Sequence, residues 1–376
     1  MTGTTKPSGG GNGTENSIEG GVIDCDIHNS VPSVEALHPY LSDQWRDYVV
    51  ERGIQSLEPN YYPRGAAISS RPDFRLDSGD PPGSDLDVLR RQALDKRDTE
   101  YAILNCLYGV QLTHNEDWAA AMARAVNEWQ TVEWLDKEPR LRASIVVPYE
   151  NPQLAVEEIE RLGDHPGFVQ VLLLVRTDIL LGRRNYWPIY EAAQKYGLPV
   201  GIHAFGRLSN PNTPVGWASY YLEDYVSQAQ AFQAQLVSLV SEGVFTKFPE
   251  LRVVLIESGF TWLPSLMWRF DKDWKGLRKD APWVERLPSE IIREHVRLTT
   301  QPVDGPSDPE HLLQMVEEIG SEELLLFSTD YPHWHFDELE GALPVELHRE
   351  LEQKILRENA QNLYQFEKVP AKEVTR

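Results

Sequence analysis

Eight short apolar runs, alternating with helical stretches, constrain the fold of this chain more than any other feature. The runs fall at 22–27, 101–106, 141–147, 168–175, 199–203, 251–256, 295–300 and 324–328. Helical patterns occupy 117–135, 152–162, 187–196, 221–242, 263–277 and 309–319, and a last one closes the chain at 345–366. Strands that are apolar throughout belong in a parallel sheet covered on both faces. An open doubly wound sheet and a closed barrel both satisfy this alternation. The polar residues at the strand ends separate them. Asp26 and His28, His203, Glu257 and Asp330 finish the first, fifth, sixth and eighth runs. Only a closed barrel brings those four ends to one mouth, where such folds place their chemistry. Neither GxGxxG nor GxxxxGK[ST] follows the first run, which removes the usual nucleotide-binding open sheets. The expected architecture is an α/β fold, a (β/α)8 TIM barrel with a long insertion after strand 1.

That insertion spans 29–84 and is rich in Pro, Gly, Arg and Asp over 63–83. Loops of this length in compact domains are usually lids or binding loops, and this one leaves strand 1 on the mouth side. Residues 1–20 are Gly, Thr, Ser and Asn with little to bury, and are expected to be a disordered tail. Residues 21–376 are read as a single domain.

The 36 basic and 58 acidic side chains give a net charge of −22, which repels nucleic-acid backbones and anionic membranes. Neither partner is expected. No 18-residue apolar run offers a membrane span. Only Cys25 and Cys106 occur, both in apolar runs, and they read as small buried thiols in a reducing compartment. With no basic-then-apolar leader at Met1, the expected location is cytoplasmic.

Four segments carry chemistry. In Asp24-Cys25-Asp26-Ile27-His28, residues two apart on a strand share a side, so Asp26 and His28 face the axis together. Gly201-Ile202-His203 ends strand 5. Ile256-Glu257-Ser258-Gly259 puts an acid straight after strand 6. Ser328-Thr329-Asp330-Tyr331-Pro332-His333-Trp334-His335 follows strand 8, where an unpaired carboxylate would be costly. Imidazoles and carboxylates from three strand ends suit one divalent ion, Zn²⁺ or Mn²⁺.

At these residues the chain resembles the amidohydrolase superfamily, in the branch of aminocarboxymuconate-semialdehyde decarboxylase and related non-oxidative aromatic-acid decarboxylases. The resemblance runs over 22–366. It rests on the Ser328–His333 segment, on Glu257-Ser258-Gly259 followed by Trp262-Leu263-Pro264, and on Glu358-Asn359-Ala360-Gln361-Asn362-Leu363-Tyr364. By matched position it implies Asp26, His28, His203 and Asp330 as ligands of a single metal. It also implies a homo-oligomer, dimer or tetramer. Two departures stand out. Asp26 occupies a position that is His in most members and Glu in several decarboxylases, which favours a harder ion such as Mn²⁺ or Mg²⁺. Glu257 stands where a catalytic His is common. Strand 4 offers Gln170 and no lysine for a carboxylated bridge, so one ion is expected.

The resulting expectation is a metal-dependent carboxy-lyase of a small aromatic or enoic carboxylic acid. Asp330 is expected to deliver the proton and Glu257 to relay it or orient the substrate. His333, Arg75 and Trp217 are the candidate substrate contacts, beside the aromatics Tyr220 and Tyr221. The competing expectation is a mononuclear hydrolase of an amide, lactone or ester, in which the same metal activates water and Asp330 is the base.

Overall fold

The structure is a computed structural model that describes residues 20–57, 70–206, 210–334 and 341–366. The expected tail, apart from Gly20, lies outside the described residues, as does His335. One parallel sheet runs in sequence order through β1 (Val22–Ile27), β2 (Thr99–Leu104), β3 (Leu141–Val146) and β4 (Phe168–Arg176). It continues through β5 (Val200–Gly206), β6 (Val253–Ile256), β7 (Val296–Thr299) and β8 (Leu325–Leu326). Backbone bonds close the circle beyond the short β8. Cys25 N donates to Phe327 O at 2.9 Å, Asp330 N to Asp26 O at 3.0 Å and His28 N to Tyr331 O at 2.8 Å. The expected (β/α)8 barrel is therefore the fold.

Helices cover the outside for reasons visible in the sequence. Asn115 caps the helix Glu116–Gln130 through Trp118 N, and its buried stripe is Trp118, Met122, Val126 and Trp129. Asn151 caps Pro152–Leu162 through Gln153 N and Leu154 N, with Pro152 supplying a fixed φ at the first turn. Inside, Ile23, Cys25, Ile103, Val254, Ile256 and Leu326 meet across the barrel with Ala360, Tyr364 and Phe366. The C-terminal helix thus plugs the end of the barrel where the strands begin. Burying a Leu, Ile or Phe side chain stabilises the fold by about 1.5–3 kcal/mol, so this interior holds the strands rigidly.

Several expectations shift. β2 ends at Leu104, so Cys106 sits beyond it, though it is buried and free like Cys25. Only Leu325–Leu326 of the eighth run is regular strand, because the chain then bends to reach β1. The closing helix starts at Arg349, four residues later than expected from 345–366, and carries a wider turn over Lys354–Glu358. The insertion after β1 is not structureless: it contains the helix Asp43–Arg52. No described helix is long and apolar enough to cross a membrane.

A candidate metal centre at the barrel mouth

The four expected ligands converge. One ligand atom each from Asp26, His28 and His203 lies within 4.8 Å of the others, and so do those of His28, Asp330 and His333. His28 is common to both groups. Its Nε2 is 3.0 Å from Asp330 Oδ1 and 3.5 Å from Asp26 Oδ1, and His203 Nε2 is 3.5 Å from Asp26 Oδ1. The His28 and His203 rings meet edge to face at 5.0 Å. Asp26, His203 and Asp330 are all 0% exposed.

Backbone carbonyls fix both imidazoles. His28 Nδ1 bonds Asn105 O at 2.8 Å and His203 Nδ1 bonds Ala204 O at 2.8 Å. A carbonyl only accepts, so each Nδ1 is the donor and each Nε2 turns to the carboxylates. His203 Nε2 and Asp26 Oδ2 are buried without a hydrogen-bond partner. His203 Nε2 instead presents its lone pair 3.5 Å from Asp26 Oδ1, and buried acceptors brought together are costly unless a cation joins them. His28 reports the same demand. Burial alone would lower its pKa, but the charges of Asp26 and Asp330 outweigh it and raise it to about 10. Burial likewise lowers the His203 pKa and the Asp26 charge reverses this, so it too is raised. The donor set, the orphaned atoms and the excess negative charge fit a single divalent ion.

Backbone strain is concentrated at this mouth. Phe205, Glu257 and Asp330, at the ends of β5, β6 and β8, hold φ of 83°, 57° and 57°. A non-glycine residue there costs about 1–2 kcal/mol, so the surroundings must enforce it. Thr299 Oγ1 accepts from Glu257 N at 3.0 Å, and Asp24 holds Thr329 beside Asp330 through both its N (3.0 Å) and Oγ1 (2.6 Å). A register shift between Asp24 and Ile27 breaks the strand alternation, so Asp24 serves this tie while Asp26 and His28 face the cluster.

Glu257 ends β6 with Oε2 3.8 Å from His203 Nδ1, while Oε1 accepts from Tyr225 Oη at 2.5 Å. The Tyr225 ring meets that of Tyr221 edge to face at 5.3 Å and lies tilted 5.8 Å from that of Trp334, an aromatic cluster beside Glu257. Burial, then the charge of Glu257, pushes both phenols up, so both remain donors. The sequence reading missed Tyr225. Its signal was the i, i+4 spacing from Tyr221 on the helix after β5, which puts both rings on one face.

The three expected substrate contacts separate. His333 donates from Nδ1 to Asp330 Oδ1 at 2.7 Å, and its ring lies 4.4 Å from that of His28. Arg75 is exposed, one residue past the turn Pro72–Phe74. Trp217 is 59% exposed. The insertion does reach the mouth. Ser70 pairs with His333, Arg71 N donates to Pro332 O at 3.1 Å, and Phe74 packs on Tyr331. Its far end returns to β1, where Ser30 N donates to Gly83 O at 3.1 Å.

The family model described as Amidohydrolase matches residues 23–366. Gamma-resorcylate decarboxylase of Polaromonas sp. (strain JS666 / ATCC BAA-500) is 26% identical over 302 residues, covering 75% of this chain and 88% of that relative. The solved structure of 2,6-dihydroxybenzoate decarboxylase with 2,6-dihydroxybenzoate aligns at a TM-score of 0.67 and 22% identity, over 92% of this chain and 100% of the other. That of dihydroxybenzoic acid decarboxylase from Polaromonas sp. JS666, with manganese and 2-nitroresorcinol, aligns at 0.63 and 23%, over 92% and 97%.

Proposed function

The chain belongs to the amidohydrolase family, and from that premise we propose that it is a metal-dependent carboxy-lyase. It removes CO₂ without oxidation from a small aromatic or enoic carboxylic acid. The observation that carries this reading is the buried cluster of Asp26, His28, His203 and Asp330, in which His203 Nε2 and Asp26 Oδ2 have no hydrogen-bond partner. Similarity to decarboxylases over three quarters of the chain supports the reaction class.

These four residues would hold one Zn²⁺ or Mn²⁺, which supplies Lewis acidity and a template for the substrate's carboxylate and a neighbouring hydroxyl. The chain's own groups do the rest. Asp330 delivers a proton to the carbon bearing the carboxylate, forming the C–H bond. The C–C bond to that carboxylate then breaks, its electron pair returns to the ring or alkene, and CO₂ leaves. His333 Nδ1 holds Asp330 Oδ1 and so fixes the direction of that transfer. Glu257, gripped by Tyr225, relays the proton to Asp330 or orients the substrate's ring. Tyr221, Tyr225 and Trp334 offer aromatic surface against which a planar acid can pack face or edge on. His333, bonded to Asp330, is the best supported substrate-side residue; Arg75 and Trp217 are exposed.

Incubating the metal-loaded protein with dihydroxybenzoates, enoic acids, lactones and cyclic amides tests the proposal. Release of CO₂ from an acid is the expected result. Turnover of only the lactones or amides, with acid released, would overturn it in favour of hydrolysis. Two further inferences accompany it. Exposed Trp217, Tyr220, Leu222 and Val226 support a homo-oligomer, which light scattering would test. Two free buried cysteines support a cytoplasmic setting, which fractionation of the source cells would test.

A further inference from the structure

Below the ligand cluster the barrel interior contains a polar thread. Asn105, Ser144 and Gln170, on or just past β2, β3 and β4, are each 0% exposed. They pair with one another, and the direction of every bond is forced. Asn105 Nδ2 donates to Asp26 Oδ1 at 2.9 Å and reaches the Cys25 carbonyl at 3.4 Å. A carboxylate and a carbonyl only accept, so Asn105 must turn its Oδ1 the other way. There it accepts from Ser144 Oγ at 2.6 Å and from Gln170 Nε2 at 3.4 Å. Gln170 Nε2 also donates to Ser144 Oγ at 2.9 Å, which turns Gln170 Oε1 towards the barrel floor. Tyr364 Oη donates to it there at 2.9 Å. All donors therefore point from the C-terminal helix up to Asp26.

We propose that Tyr364, Gln170, Ser144 and Asn105 form a one-way hydrogen-bond chain that positions Asp26 for its metal, so that ion affinity depends on a tyrosine at the opposite end of the barrel. The proposal rests on the metal reading given above. Asn105 donates to Asp26 Oδ1, the oxygen 3.5 Å from both His28 Nε2 and His203 Nε2, and so fixes the rotation of the carboxylate against the two imidazoles, while Oδ2 has no hydrogen-bond partner. Aligned donors also polarise one another, strengthening each bond by about 10–30%. Replacing both partners of a buried pair by apolar groups of the same shape can be nearly neutral for stability, so a need to fold does not by itself account for the thread.

Two further features of the sequence acquire a reason. In Gly201-Ile202-His203, a Cβ on Gly201 would stand 2.5 Å from Gln170 Nε2, so the glycine leaves room for the amide. In the Glu358–Tyr364 segment, Asn359 Nδ2 donates to Glu322 O at 2.8 Å and Leu325 O at 2.9 Å, tying the helix to the approach to β8 and thereby placing Tyr364.

The test is Mn²⁺ affinity, measured by competition with a fluorescent chelator at one pH, alongside the melting temperature of the metal-free protein. Asn105→Ala should weaken Mn²⁺ binding about 10–100-fold, as loss of a ligand's supporting partner usually does. Tyr364→Phe and Ser144→Ala should each weaken it about 3–10-fold, the coupling expected within one hydrogen-bond network. With Asn105 already Ala, Tyr364→Phe should have no further effect on the Kd. A Tyr364→Phe protein that melts lower but binds Mn²⁺ like the wild type would overturn the chain and leave Tyr364 a floor residue. Full additivity with Asn105→Ala would overturn it as well. Should Tyr364→Phe fail to fold, Ser144→Ala, which deletes one oxygen, decides by the same criterion. Wild-type protein that binds neither Mn²⁺ nor Zn²⁺ would instead overturn the metal reading itself.

Discussion

Replacing Glu257 by Gln tests the proton relay with almost no change of shape. The Tyr225 phenol, 2.5 Å from Glu257 Oε1, can still donate to the amide oxygen. Its bond changes from charge-assisted to neutral, a loss of about 1 kcal/mol. The strain at φ 57° is common to both side chains and cancels. If Glu257 only orients the substrate or its neighbours, kcat should therefore fall about fivefold. If it relays a proton, the amide cannot serve, and kcat should fall about 10²–10⁴-fold. The two outcomes are far enough apart for one kinetic measurement to separate them. The assay follows CO₂ from whichever dihydroxybenzoate is turned over, with kcat and KM separated and metal content measured on the same sample. We expect the larger loss with full metal occupancy. Tyr225→Phe, which keeps the carboxylate but removes its donor, should fall between wild type and Glu257→Gln. A Gln variant within about fivefold of wild-type kcat, with its metal retained, would refute the relay and leave the proton chemistry to Asp330 alone.

Elemental analysis of protein purified without chelator should find one divalent metal per chain; a stoichiometry near two would contradict a site with Gln170 where a bridging lysine is needed. Gly83→Ala should impair both folding and metal binding, since its φ is 81° and a Cβ would stand 2.5 Å from the carbonyl oxygen of His28, a proposed ligand. An alanine variant with wild-type melting temperature and Mn²⁺ affinity would show that the insertion's return leg does not brace the site. Acid stability should depend on Glu138. Burial would raise its pKa from 4.5, but bonds from Arg140 and Arg90 outweigh it and lower it to about 2. Its contribution, about 1–3 kcal/mol, is therefore complete above pH 4.5 and lost as the pH falls towards 2. Urea unfolding at about pH 6 and about pH 2.5 should show the wild-type advantage over Glu138→Gln shrinking; an advantage that stays constant would refute the linkage.

The strand–helix alternation was legible in the sequence because its causes are local. Apolar runs, caps such as Asn115 and Asn151, and strand-end acids depend on residues a few positions apart. The four residues at the centre could be named for the same reason: a barrel mouth collects whatever its strand ends carry. What the sequence could not order is everything set by closure. Asp26 and Asn105 are 79 residues apart, Tyr225 and Glu257 are 32 apart, and Asp24 and Thr329 are 305 apart. Strand alternation alone does not place Asp24, which a register shift before Ile27 leaves bonded to Thr329. The direction of the Tyr364-to-Asp26 thread likewise exists only once four strands and the last helix surround one axis. Each strand end contributes only one or two polar groups. Which partner it meets depends on stagger and strand tilt around the closed barrel, quantities that no local stretch of sequence specifies.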